Sequence, residues 1–169
     1  MFIRRDIVAG RGAGRARLMF EPKTVYVTYI ATTPEKVWAA LTGPEFTRQY
    51  FFGRTIESDW NVGSRVAYYQ EDGTLDVLGK VIECDPPRRL SITWHVEWIE
   101  ELKKLPDALV TFQIDALGGV VRLTMTESHQ IALPDKMLEG GRRGWPIILS
   151  SLKSLLETGG PLPAFDPSA

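Results

Sequence analysis

Residues 145–157 read Trp145-Pro146-Ile147-Ile148-Leu149-Ser150-Ser151-Leu152-Lys153-Ser154-Leu155-Leu156-Glu157, and the spacing of the apolar residues in this stretch decides the architecture. Trp145, Ile148, Leu149, Leu152, Leu155 and Leu156 fall at i, i+3, i+4, i+7, i+10 and i+11, a repeat that collects side chains on one face of an α-helix. Ser150, Ser151, Lys153, Ser154 and Glu157 are assigned to the opposite face. Gly159-Gly160-Pro161 closes the element, because glycine accepts the left-handed conformation of a helix end and proline cannot continue the turn. An amphipathic helix of about three turns or more must bury its apolar face against another layer.

The chain from Arg54 to about His129 supplies that layer. Leu90, Ile92, Trp94 and Val96 alternate with Ser91, Thr93, His95 and Glu97; Val110, Phe112 and Ile114 repeat the pattern. Val121, Leu123 and Met125 alternate in turn with Arg122, Thr124 and Thr126. A period of two with one wet face predicts antiparallel strands and argues against a parallel sheet of βαβ units. Trp60-Asn61-Val62-Gly63, Glu71-Asp72-Gly73 and Gly118-Gly119 are turn signals, and Asp85-Pro86-Pro87 ends a strand because proline donates nothing to a ladder. Gly79, inside a strand, marks sheet curvature or a close approach of backbone. The segment Trp98 to Asp107 reads as a charged loop.

Further upstream, Val25-Tyr26-Val27-Thr28-Tyr29-Ile30 predicts a strand beginning at Thr24. Thr33-Pro34-Glu35 starts a helix with a hydroxyl cap, a first-turn proline and a carboxylate; its apolar stripe is Val37, Trp38 and Leu41. Gly43-Pro44 stops it, and a second short helix runs to about Tyr50. The class is therefore α+β: one strand, two short helices, an antiparallel sheet of about six to seven strands in all, then a long helix across its inner face.

With 169 residues the chain suits one domain with a sizeable core. The expected division is a glycine- and arginine-rich leader over 1–22, a single domain over 23–160 and a tail over 161–169. The leader holds Arg4, Arg5, Arg11, Arg15 and Arg17 without interleaved aromatics, so it reads as a flexible segment and not as a nucleic-acid arm. A net charge of −1 gives the whole molecule no bias toward nucleic acid or an anionic membrane. No apolar run approaches the roughly 20 residues a membrane span needs. Cys84 is the sole cysteine, which excludes an internal disulfide and suits a reducing, cytoplasmic setting.

Three blocks carry a resemblance to a known family. They are Thr33-Pro34-Glu35-Lys36-Val37-Trp38-Ala39-Ala40-Leu41-Thr42, then the run from Gly79 to Trp94 through Cys84-Asp85-Pro86-Pro87-Arg88-Arg89-Leu90, and the run from Gly144 to Glu157. In this order they resemble the START-like (Bet v 1-like, SRPBCC) helix-grip superfamily of lipid-transfer domains, plant allergens and aromatic polyketide cyclases. Within it they are similar to the bacterial branch named after the Hsp90 ATPase activator. The resemblance covers about residues 24 to 160. It implies a curved sheet gripping the C-terminal helix around a cavity, used for hydrophobic ligands in some members, while others use the outer surface for protein contacts.

No metal, cofactor or nucleophile is expected. Two histidines and one cysteine offer no ligand spacing, and His95 reads as a solvated strand residue opposite Trp94. Cys84, beside Asp85, reads as inert because a neighbouring carboxylate disfavours the thiolate. The candidate ligand-binding residues are Trp38, Tyr68, Trp94, Phe112, Met125 and Trp145, with the carboxylates Asp76 and Glu127; filling the core is the competing role for each aromatic. Glu127 follows the inward register of Met125, but register breaks at strand ends, so the expectation is an exposed carboxylate. The leading functional expectation is a non-enzymatic binding protein for a small hydrophobic ligand, monomeric or homodimeric. The alternatives are a chaperone-like protein-interaction module using the charged segment Glu97 to Lys104, and a cyclase- or hydrolase-type enzyme using Asp76 or Glu127.

Overall fold

β1 (Glu21–Ile30) opens the described part of the chain, residues 21–166, in a computed structural model of the protein. It starts ahead of the predicted Thr24, and its pairing slips between Pro22 and Thr24. The ladder to the last strand therefore carries the backbone past the point where side-chain propensity ends. The expectations for the arginine-rich leader fall outside the described residues.

α1 (Pro34–Thr42) is capped as the sequence predicts, with the Thr33 hydroxyl accepting from the Lys36 amide at 3.4 Å and Pro34 in the first turn. α2 (Pro44–Tyr50) follows at once. The chain then runs through β2 (Thr55–Ser58), β3 (Arg65–Tyr69), β4 (Leu75–Asp85) and β5 (Arg89–Val96). After the short α3 (Glu100–Lys103) come β6 (Ala108–Leu117), β7 (Val120–His129) and α4 (Asp135–Thr158). The seven strands form one antiparallel sheet in the order β1-β7-β6-β5-β4-β3-β2, so α1 and α2 carry the chain from one edge of the sheet to the other.

The inner rows predicted by alternation are buried: Ile92, Val110, Leu123 and Met125 have no or almost no exposure, and Phe112 faces Met125 across β6 and β7. Leu149, Leu152 and Leu155 press onto this surface from α4. Gly79 is needed for a close approach, because a Cβ there would lie 1.9 Å from the Thr93 carbonyl oxygen of β5. Tyr50 is enclosed, and its hydroxyl donates to the Ala40 carbonyl at 3.0 Å. Burial pushes that hydroxyl well above its ordinary pKa.

Three local expectations change. α4 begins at Asp135, well before Trp145, so Gly140, Gly141 and Gly144 lie inside a helix of 24 residues. Its first half has too few apolar side chains to show a stripe, which is why periodicity missed it. Ser151 is buried, not on the wet face, and its hydroxyl accepts from the Leu162 amide at 3.2 Å as the chain folds back along α4. The segment Trp98 to Asp107 contains α3, with the Leu102 and Lys103 amides bonded to the Ile99 carbonyl.

Candidate functional site

α4 is divided by its own sequence. From Trp145 onward it closes the core; before Trp145 the glycines leave a cleft of about 700 Å³ between the helix, the ends of β4, β5 and β7, and the α3 segment. The apolar wall combines Phe51 after α2, Val77 of β4, Trp94 of β5 and Trp145 and Ile148 of α4. The α3 segment adds Trp98, Ile99, Leu102 and Leu105, with the charged residue Glu101 between them. Met137, Gly140, Gly141 and Gly144 form the helix side. A Cβ placed on Gly140 or Gly144 would meet no heavy atom within 4 Å, so these positions border open space.

The rings form a continuous ladder from core to cleft. Tyr68 and Trp94 have centroids 5.1 Å apart, Trp94 and Trp145 5.3 Å, and Phe51 and Trp145 5.8 Å. Offset and tilted rings at such distances pack favourably and hold one another's rotamers. The cleft is thus walled by a fixed aromatic surface.

The principal polar feature is built from β7 and α4. Glu127 and His129 are two residues apart on one strand and so share a face. Glu127 Oε1 lies 2.9 Å from His129 Nε2, and Glu127 Oε2 accepts from the Trp145 indole Nε1 at 2.8 Å. The side chains are 15% and 11% exposed, which overturns the expectation of an exposed carboxylate: β7 stays in unbroken register with β6 as far as Ser128, and Thr24 of β1 pairs with Glu127 on the other side. Gly141 makes room for the group, since a Cβ there would come within 3.1 Å of Glu127 Oε2. Tyr26 lies close enough to feel this charge; burial first, and the Glu127 carboxylate second, raise its hydroxyl pKa, while Arg142 opposes them.

A second polar element borders the cleft at Arg54. Asp76 is buried and holds Arg54 in an ion pair, and it also accepts from the Gln70 amide at 3.0 Å. The preceding turn places Phe52 at a positive φ of 50°, followed by Gly53 at 76°, and leaves the Phe52 ring 54% exposed at the rim. The Arg54 guanidinium sits 5.9 Å from that ring, a cation–π distance. His95 is not the solvated residue expected; it is half-buried, with Nδ1 3.0 Å from Asp107 Oδ1. Among the described residues no group of three His, Cys, Asp or Glu side chains could hold a metal ion. Cys84 is partly buried, and burial followed by the Asp85 charge pushes its thiol pKa up.

Of the eight sequence candidates, Trp94, Glu127 and Trp145 come together on the cleft. Tyr68, Phe112 and Met125 are enclosed in the core behind it, and Trp38 packs against the core from α1. Asp76 acts on the cleft only through Arg54. Sequence reasoning did not name Phe51, Arg54 or His129, and it gave the α3 segment only a protein-contact role. The usable signals were the apolar Trp98, Ile99, Leu102 and Leu105 inside a charged loop, and three glycines just ahead of the amphipathic run.

A seven-stranded antiparallel sheet curved around a long C-terminal helix, with an open cleft between them, defines a helix-grip domain. The family model described as Activator of Hsp90 ATPase homolog 1-like protein matches residues 31–157, and the chain belongs to this family. Solved structures agree on the fold. Protein MLL2253 from Mesorhizobium loti is 25% identical with a TM-score of 0.64, over 79% of this chain and 96% of the other. The Aha1 dimer from Colwellia psychrerythraea is 22% identical with a TM-score of 0.63, over 80% and 96%. A Plasmodium falciparum protein described as an Hsp90 activator is 20% identical with a TM-score of 0.58, over 72% and 86%. No curated protein matches the chain. Among the described residues no helix is long and apolar enough to cross a membrane.

Proposed function

We propose that this protein binds a small hydrophobic ligand in the cleft between the sheet and the first half of α4. The observation that carries the reading is the cleft itself: about 700 Å³, walled by Phe51, Trp94 and Trp145, and bordered by helical glycines with open space beside them. A site of this volume with an apolar wall and few polar groups suits a small organic molecule. Glycine in a helix interior costs about 1 kcal/mol relative to alanine, so three of them weaken this helix for the sake of space. Binding would be driven by removal of the ligand's apolar surface from water, with the polar groups setting its orientation.

Native mass spectrometry of the freshly purified protein, followed by solvent extraction, tests the reading. A stoichiometric released organic molecule is the expected result. A bare mass, together with no saturable uptake of any apolar aromatic probe, would overturn it.

One observation favours a second reading, a protein-interaction module of the Hsp90-activator kind. Trp98 is 56% exposed at the start of the α3 segment, as a docking side chain would be. The ATPase rate of the host's Hsp90 homologue, measured with the protein and with its Trp98→Ala variant, tests it: stimulation lost in the variant supports the reading, and no stimulation by either removes it.

A further inference from the structure

The hydrogen bonds around Glu127 determine the tautomer of His129. An indole nitrogen only donates, so Trp145 Nε1 assigns Glu127 Oε2 as an acceptor. An ionised carboxylate accepts through both oxygens, so Oε1 must receive the hydrogen of His129 Nε2 across their 2.9 Å contact. With the imidazole neutral, its one hydrogen is then on Nε2, and Nδ1 presents a lone pair. No donor among the described residues meets Nδ1, although His129 is only 11% exposed and lines the cleft.

Two of the other basic groups of the cleft are already engaged. Arg54 is held by Asp76, and His95 is held by Asp107. Trp94 lies in the same cross-strand row as His129, because Trp94 pairs with Ala108, and Leu109, the next residue of β6, pairs with Ser128. The acceptor therefore sits beside an aromatic wall.

We infer that His129, oriented by Glu127, is the polar anchor of the cleft and selects planar aromatic ligands that carry a hydroxyl group, a phenol or enol whose O–H donates to Nδ1. This inference rests on the proposed binding role and adds the chemical class of the ligand. The ring stacks against Trp94 and Trp145 while the hydroxyl reaches Nδ1. An ether in place of the hydroxyl has no hydrogen to give and leaves the Nδ1 lone pair buried without a partner. Glu127 and His129 are here positioning and recognition groups, and no bond to carbon is made or broken.

Calorimetric titration of the full chain with 2-naphthol and with 2-methoxynaphthalene tests the inference. The expected result is roughly tenfold tighter binding of 2-naphthol, as one buried hydrogen bond supplies. In Glu127→Gln the side-chain amide donates toward the imidazole, which moves the ring hydrogen to Nδ1; the hydroxyl preference should then vanish while the ether still binds. The ¹⁵N shifts of His129 report that tautomer change directly, a readout that loss of packing alone would not give. Equal affinity of the wild-type protein for the two probes overturns the hydroxyl anchor and leaves the binding role standing. Binding of neither probe overturns the binding role with it. Because the first comparison uses only the wild-type chain, it holds whether or not the variant folds.

Discussion

The two halves of α4 lie against one continuous sheet and behave differently. From Trp145 to Leu155 the helix sends Ile148, Leu149 and Leu152 into the sheet and leaves a residual void of only about 10 Å³. From Asp135 to Gly144 the same helix borders a cleft of about 700 Å³. Both halves are α-helical, with Pro146 inside the helix near their junction, and their side chains differ: leucines at one end, glycines at the other. A binding space in this fold is thus a stretch of interface where the helix withholds its side chains, and stability and space are assigned to separate turns of one element.

The sharpest way to break this comparison is to make the closed half resemble the open one. Leu152 is fully buried, and Leu152→Ala should lower stability by about 2–5 kcal/mol through lost burial and an unfilled cavity. Urea unfolding should show this as a lower midpoint with an unchanged slope. A loss below about 1 kcal/mol would mean that the closed half is not the part that holds the domain together.

The reverse change fills the open half. Gly144→Ala adds a methyl group where no atom lies within 4 Å, and should stabilise the helix by about 1 kcal/mol. Gly144→Leu should weaken the binding of an apolar aromatic probe at least tenfold without unfolding the protein. Stability and binding moving in opposite directions would confirm the division of labour; a destabilised Gly144→Ala would refute it.

The smallest effect concerns the clasp between the closed half and β1. Glu157 accepts from the Ala31 amide at 2.8 Å and from Lys153 at 2.7 Å. The amide bond first, and Lys153 second, hold its pKa below the ordinary 4.5. A depressed carboxylate pKa adds stability at pH values above the unfolded-state pKa, and that contribution disappears as pH falls through the lower folded-state value. Glu157→Gln should therefore lower the melting temperature slightly near pH 7, and the difference should shrink steadily as pH falls below the ordinary 4.5, as measured by thermal unfolding across that range. A gap that persists in acid would show that packing, not the charge, supplies the clasp.

Much of the closed half was legible in the chain. The alternation in β5, β6 and β7 and the heptad-like spacing after Trp145 are local patterns, and local patterns record which face of an element is buried. The open half left almost no periodic trace. Three glycines in the helix and a charged segment whose Ile99, Leu102 and Leu105 are half-buried along the cleft both look like loop until they are seen packed. Glu127 shows the same limit: its burial depends on β7 being paired with Thr24 of β1 on one side and Val110 of β6 on the other, and on α4 crossing over it, none of which a single strand records.

The sequence by itself determined the fold class, the order of elements and the core face of each strand, because hydrophobic periodicity and turn chemistry act over a few residues. Only the tertiary structure decided where the cleft lies, that Trp94, Glu127 and Trp145 border it while Tyr68, Phe112 and Met125 do not, and that His129 joins them. A cavity is defined by side chains that are missing from an interface, and a hydrogen-bonded group such as Glu127, His129 and Trp145 exists only when a strand and a helix meet; neither is written in the spacing of a single element.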